Sequence, residues 1–418
     1  MNRTERALLI AFLSLLARAA LAPRATCEVP FAGGKLSASV ESIHRYAARE
    51  SALNPGNVHG IDEGYADQAR YALGYAVTTD RYSFTFNDYG NVSFSGGLSG
   101  CNRVGEIYTT VKLGTVFVDL GKKRVCQSQN YFKSPINFAL EDYSDFDLRY
   151  SNGRAMANLE WFSDFGVVAL SFIPEIDFKG NLARYLSPPQ RRQWYARYDV
   201  TVGDYAIGLA ASFDYRWRTG AQVSRSVGRY AEAHAELVFD EKRERVELVE
   251  SANPSVPPEI RAGSVRNRLE AVIGLTVNLP RVSVIAEYYG TGAGYSAREW
   301  EAIADRYREI ARADMSEPVN LYAAGLAMSA HALNAGINGR NYLMIRVSNP
   351  STDEYELSLT ALANLQDSGV ILMPAVGYSG WDNLSVKASF MKRFGGPYAE
   401  YSLYGTDWEC ALSMELSL

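Results

Sequence analysis

The sequence predicts an all-β protein, a closed antiparallel transmembrane β-barrel of about 16–18 strands with one short helix in a long external loop. Three observations carry this. First, Trp408–Leu418 alternates: Trp408, Cys410, Leu412, Met414, Leu416 and Leu418 are apolar or aromatic, while Glu409, Ala411, Ser413, Glu415 and Ser417 are small or polar. A closing barrel strand needs that pattern, with one face toward lipid and the other toward the lumen. Second, runs of the same period, each about ten residues long, recur along the chain, and that is the length a tilted strand needs to cross hydrocarbon. Third, the links between runs are short and long in turn, as on the two sides of such a barrel.

In chain order, residues 1–19 read as a secretory signal. A short basic-leaning start (Asn2–Arg6) leads into the apolar block Ala7–Leu16, and Ala17-Arg18-Ala19 offers small residues for cleavage. The block is too short to span a bilayer as a helix. Cys27 lacks the aliphatic residue that lipidation needs upstream, since Arg24-Ala25-Thr26 precede it. Residues 20–34 are expected as a short periplasmic segment, and 35–418 as a single barrel domain.

Strands are expected to begin near Leu36, Gln68, Arg81, Glu106, Val116, Ala155, Gly166, Gln193, Asp204, Ala221, Tyr230, Val265, Arg281, Asn341, Tyr355, Val370, Asn383 and Trp408. Those at Val116 and Ala221 are the weakest, which leaves the lower count open. Residues 205–213 show the pattern well: Tyr205, Ile207, Leu209, Ala211 and Phe213 alternate with Ala206, Gly208, Ala210 and Ser212. Short links fall at 163–164, Gly203, Gly228, 279–280, 349–352 and 380–381. Long ones fall at 123–153, 174–191, 250–263, 291–338 and 393–407. Within the longest, Ser296-Ala297-Arg298-Glu299 has capping-box spacing. Trp300, Ile303, Ala304, Tyr307 and Ile310 follow at helical spacing. Such a helix could narrow the lumen, cap its mouth, or pack on neighbouring loops.

Composition bounds the function. With a net charge of −5 and a pI near 5.6, the chain has no basic surface for nucleic acid. Its 27 Tyr, against 17 Phe and 6 Trp, suit the aromatic girdles at membrane boundaries. Four cysteines without a C-x-x-C make neither a disulfide framework nor a metal site; Cys101 and Cys126 could pair, and Cys410 has lipid-facing parity. The four histidines (His44, His59, His234, His331) form no zinc motif, and no G-x-S-x-G occurs. Gly290–Gly294 reads as a strand exit rather than a phosphate loop, and Asp142–Asp147 as a solvated acidic loop without calcium-loop spacing. Neither an enzyme nor a cofactor is indicated.

The stretch Leu120-Gly121-Lys122-Lys123-Arg124-Val125, with Tyr131-Phe132-Lys133-Ser134-Pro135 after it, resembles a segment of porin-like bacterial outer-membrane proteins. So does Ala363–Gly369, followed by Leu372-Met373-Pro374 and Asp382-Asn383. The chain departs from the commonest ending of such barrels by closing on Leu418 rather than an aromatic residue. The resemblance implies an outer-membrane channel for passive or substrate-selective diffusion, in contact with lipids and small polar solutes. A barrel acting as a surface adhesin or receptor through its long loops is the alternative.

Parity nominates the lumen face. Arg197, Asp199, Arg216, Glu232, His234, Glu236, Arg266, Arg268, Glu270, Arg281, Glu287 and Lys387 are the candidate pore-lining residues, with Glu356, Glu409 and Glu415 on the same side. Arg266 and Arg268 on one strand and Arg281 on the next would form a basic patch beside Glu232 and Glu236, filtering solutes by charge. Gly208, Ala210 and Ser212 would leave space on that wall. Every strand has one apolar face, so monomer and trimer remain equally open.

Overall fold

The computed structural model describes residues 34–47, 64–93, 99–125, 130–139, 153–176, 190–249, 259–312, 339–349, 354–381, 383–396, 399–402 and 406–417. The expected signal segment (1–19), the Asp142–Asp147 loop, Cys126 and the side chain of Cys101 lie outside these residues, and with them the Cys101–Cys126 pairing.

Eighteen strands form one antiparallel sheet. In order they are β1 (Lys35–Ala47), β2 (Gly64–Thr78), β3 (Tyr82–Ser93), β4 (Ser99–Leu113), β5 (Val116–Lys123), β6 (Arg154–Ser163), β7 (Gly166–Ile173), β8 (Gln193–Val202) and β9 (Tyr205–Phe213). The rest are β10 (Trp217–Val227), β11 (Ala231–Val249), β12 (Glu259–Asn278), β13 (Ser283–Thr291), β14 (Asn341–Ser348), β15 (Tyr355–Asn364), β16 (Val370–Trp381), β17 (Leu384–Phe394) and β18 (Thr406–Ser417). Each pairs with the next, and β1 pairs with β18 from Ser37↔Ser417 to Ala47↔Thr406. That pairing leaves no sheet edge with unpaired backbone groups.

The weak strands at Val116 and Ala221 are both present, so the count is the upper of the two expected. β2 and β4 start earlier than the alternation indicates, at Gly64 and Ser99. β11 and β12 run to 19 and 20 residues, well beyond a membrane crossing. On the short-link rim, Gly114, Gly203 and Gly228 take φ of +64°, +58° and +65°. Tight hairpins need this left-handed region, which glycine enters without a Cβ clash. On the opposite rim, two connections that the alternation leaves unmarked are also short: 214–216 and 365–369.

Burial follows the alternation. Leu209, Ile273 and Leu357 stand exposed outside, while Ser212, Glu236 and Glu287 are buried inside. On the last strand Cys410 and Leu412 face out and Ala411 and Ser413 face in, and Cys410 is a free thiol. The outward aromatics gather near both rims. Trp161 and the Tyr378–Trp381 pair, 4.8 Å between its ring centroids, sit toward the short turns. Phe172–Trp194 and Phe213–Trp217 sit toward the long loops, at 4.5 and 4.7 Å. An apolar belt this continuous is costly against water and matches a hydrocarbon layer bounded by aromatic girdles.

Helix α1 (Ala297–Arg312) forms where the capping box places it. Ser296 N–H and Oγ–H both donate to Glu299 Oε2 at 2.8 Å, and Glu299 N–H returns a bond to Ser296 Oγ at 3.3 Å. Trp300 and Ile303 are buried.

Candidate functional site: an inner strap on a polar wall

Polar side chains on the inner wall hold one another in chains. Thr110 of β4 donates to Asp119 of β5 at 2.5 Å, Asn158 of β6 donates to the same carboxylate at 2.9 Å, and Ser171 of β7 donates to Asn158 at 2.7 Å. Strand pairing puts these residues side by side, and the pleat turns all of them inward.

The connection after β5 re-enters the barrel. Residues 130–139 form a strap lying against the inner wall, and carboxylates hold its backbone. Tyr131 and Phe132 N–H donate to the two oxygens of Glu287 on β13, at 2.8 and 2.7 Å. Ser134 Oγ–H donates to Glu236 on β11 at 3.2 Å, and Ile136 N–H reaches the same group at 3.5 Å. Gln193 on β8 donates to the Phe138 carbonyl at 3.0 Å and to Ser212 of β9 at 3.2 Å. A hydrogen bond to a buried charge contributes about 1.5–3 kcal/mol, roughly twice a neutral one.

Apolar strap residues fill the gaps between these anchors. Phe132 packs edge-on to Tyr289 at 6.1 Å, within a buried cluster that includes Tyr342, Met344 and Leu362. Ile136 and Phe138 pack with Tyr195, Ala210 and Val238. The room left by Gly208, Ala210 and Ser212 is thus taken, at Ala210, by the strap. Lys133 Nζ lies 4.8 Å from the Tyr289 ring centroid, a cation–π distance.

His234 of β11 completes the anchor. Its Nε2 lies 3.1 Å from Glu287 Oε1, two strands away. It reaches across β12 at Gly274, where any Cβ would overlap the imidazole and crowd Glu287. One glycine therefore lets a histidine and a glutamate on alternate strands meet.

The other candidate residues take different places. Arg197 pairs with Asp199 on β8. Arg216 sits in the β9–β10 bend, 3.2 Å from Asp240. Glu270 is buried, pairs with Arg243 and accepts a 2.7 Å bond from Tyr289 Oη. Glu232 is half-buried near the short-turn rim, two residues before His234. Lys387 of β17 and Arg346 of β14 share Glu356 of β15, at 3.4 and 3.0 Å.

The Arg266–Arg268–Arg281 patch does not form. Arg266 and Arg268 are exposed on β12 beside Asn267, whose φ of +52° marks a local break in the strand, while Arg281 is exposed in the turn at the other end. About eleven residues of strand intervene, roughly 35 Å at 3.3 Å per residue. Shared parity places residues on one face and says nothing of their height on it.

The segment held against the inner wall also belongs to a different connection than the helix. Glu299, at the start of α1, pairs with Arg245 and Arg340 at 3.0 and 3.1 Å beside the barrel rim. Desolvation opposes its ionisation, yet the Ser296 N–H and hydroxyl and the Arg245 guanidinium together bring the carboxyl down from 4.5 to about 2. In the β15–β16 link, burial raises the Asp367 carboxyl, against bonds from the Glu400 and Gly369 N–H groups.

Sequence parity does not reach the strap residues Phe132, Ser134, Ile136 and Phe138. Their signal was three large apolar side chains spaced through a loop, the first of them, Phe132, inside the stretch that carries the family resemblance. Among the described residues, no three His, Cys, Asp or Glu side chains cluster as a metal site.

No protein-family model and no curated protein matches the sequence. Solved structures do match. OccK8 (OprE) of Pseudomonas aeruginosa aligns with a TM-score of 0.52 and 9% identity, over 92% of this chain and 98% of its own. OccAB3 of Acinetobacter baumannii gives 0.53 and 7%, over 93% and 99%. OccK2 (OpdF) of Pseudomonas aeruginosa gives 0.53 and 10%, over 92% and 97%, and one structure of it is a complex with glucuronate. These neighbours are outer-membrane porins, and the chain has their closed-barrel fold across nearly its whole length.

Proposed function

We propose that the protein is a bacterial outer-membrane channel through which small polar solutes diffuse, with the strap 130–139 setting the width of the passage. The observation that carries this reading is the strap itself, an internal segment held against a polar inner wall by Glu236, Glu287 and Gln193. A barrel working only through its external loops has no need to hold such a segment inside. The outward apolar belt supports a bilayer setting, because only closed barrels and helices satisfy their backbones there.

Arg197, Asp199, Glu356, Lys387 and Arg243 are the charged groups proposed to meet solute. Glu236, Glu287 and His234 act indirectly, by positioning the strap. Residues 1–19 are proposed to be removed on export, which N-terminal sequencing of the mature protein checks.

Planar-bilayer recording tests the channel reading: discrete conductance steps are expected, and silence at every voltage and salt concentration counts against it. Glucuronate, bound in one OccK2 structure, is the first solute to try as a blocker of the current. A barrel that conducts ions and ignores every sugar acid, sugar and amino acid would be a general pore rather than a selective one.

A further inference from the structure

Two phenyl rings face the lumen at the short-turn end of β5 and β6. Phe117 lies two residues before Asp119 and Phe162 four after Asn158. Asp119 and Asn158 bond to each other on the inner wall, so the pleat turns both rings inward as well. The ring centroids are 5.2 Å apart at an interplanar angle of 67°. Phe162 is 41% exposed. Other strands place hydroxyl residues on the inner wall near this rim: Ser83, Thr201, Ser226, Ser283, Ser348 and Ser385. An open phenyl ring on such a wall is poorly hydrated and offers a contact to an apolar group.

Charges of both signs flank the rings. Register sets Phe117 between Lys112 on β4 and Glu160 on β6. At about 4.8 Å between strands, those two backbones stand roughly 10 Å apart. Lys112 Nζ lies 5.7 Å from the Phe117 centroid, within cation–π reach, and no carboxylate pairs with it among the described residues. Glu160 Oε1 accepts a 3.0 Å bond from Asn158, and among the described residues Oε2 is left open. Lys123, on the same strand as Phe117, is held by Asp119 at 2.6 Å. One open ammonium and one open carboxylate oxygen thus stand on either side of a ring. Arg81, whose carbonyl accepts the Lys112 N–H at 2.8 Å, adds a cation at the rim, and Asp80 and Asp164 add acids in the adjoining turns. Two cations (Arg81, Lys112) against three carboxylates (Asp80, Glu160, Asp164) leave no positive excess to favour a plain anion.

We propose that this patch is a subsite for a zwitterionic amino acid with an apolar side chain. Lys112 takes the α-carboxylate, Glu160 takes the α-ammonium, and Phe162 takes the side chain. The proposal rests on the channel reading only for how the solute arrives. A sugar leaves both protein charges unmatched. A carboxylic acid without an amine sets its negative charge beside Glu160. A zwitterion matches both charges and carries no net charge of its own.

Saturation-transfer NMR on the refolded full chain in micelles, with empty micelles subtracted, reads binding without conduction. Free phenylalanine is expected to bind about two- to tenfold more tightly than free alanine, and Phe162→Ser to remove that advantage. Lys112→Gln is expected to weaken phenylalanine by up to about fivefold and to leave phenethylamine, which has no carboxylate, unchanged. Glu160→Gln is expected to weaken phenylalanine similarly and to leave 3-phenylpropanoate, which has no amine, unchanged. Equal binding of alanine and phenylalanine, or an advantage that survives Phe162→Ser, overturns the site. Binding of 3-phenylpropanoate as tight as that of phenylalanine overturns the zwitterion assignment. The same solutes are then added to the barrel in a planar bilayer. A barrel that conducts but binds no phenylalanine overturns the subsite and leaves the channel standing. One that binds with the expected pattern but never conducts keeps the subsite and overturns the channel.

Discussion

The two halves of the inner wall use their polar residues differently. On β8–β13, Gln193, Ser212, His234, Glu236, Glu270 and Glu287 are all buried, and three of them bind the backbone or a hydroxyl of the strap. On β1–β3 and β17, the same parity gives Glu41, Arg70, Asn87, Lys387 and Arg393, all half-exposed. Two of these pair across neighbouring strands, Arg70 with Glu41 at 3.8 Å. One half is therefore a mount for an internal segment, and the other keeps its polar groups partly exposed. The difference teaches that a charge on a lumen wall is not by that fact a selectivity charge. A carboxylate that has given its oxygens to backbone N–H groups and a histidine has little left for a passing ion.

The strongest way to break this comparison is at Glu287. Glu287→Ala leaves two strap N–H groups and His234 without their acceptor in a buried place, which costs about 3–5 kcal/mol. The strap is expected to detach at its Phe132 end, giving a larger and noisier unit conductance and faster exchange of the Tyr131 and Phe132 amides. Unchanged conductance would remove the strap from the role of constriction.

Gly274→Val is expected to come next, at about 1–3 kcal/mol. It presses His234 away from Glu287 without touching the strap, so thermal unfolding is expected to fall while conductance changes less than in Glu287→Ala. Equal effects in both assays would mean that His234 holds the strap as firmly as Glu287 does.

At the rim the effect is smaller and depends on pH. The Glu299 carboxyl is lower in the fold than in the unfolded chain, so its contribution is complete above about 4.5 and is lost as pH falls toward about 2. Glu299→Gln is expected to cost up to about 1 kcal/mol at neutral pH, given its exposure, and to flatten the acid loss of helicity in that window. An undiminished acid transition in the variant would assign it to other groups.

The smallest expected effect on stability, with a clear one on permeation, belongs to the open half. Lys387→Glu is expected to change stability by less than about 1 kcal/mol and to move the reversal potential in a salt gradient toward cation preference. A shift no larger than that of a Glu236 substitution would erase the distinction between the two halves.

The local code accounts for most of the architecture. Most strand positions, the inside and outside of the strands, the Gly203 and Gly228 turns and the capped helix were legible because each rests on neighbours within about ten residues. Pleat alternation, left-handed turn residues and the Ser296–Glu299 spacing are short-range constraints. Even the weakest segments, at Val116 and Ala221, became strands, since a ring closes only when each strand has two partners.

What joins residues far apart in the chain was not legible. The Tyr131–Glu287 bond spans 156 positions, and its donor is a backbone N–H, a group every non-proline residue carries. No side-chain pattern announces that bond. The failed arginine patch has a similar origin: Arg266 and Arg281 share a parity, but one hairpin puts them at opposite ends of the barrel. Period two specifies which way a side chain points. Its height on the wall, and what crosses the lumen to meet it, were settled only when the sheet closed and brought the β5–β6 connection onto β8, β11 and β13.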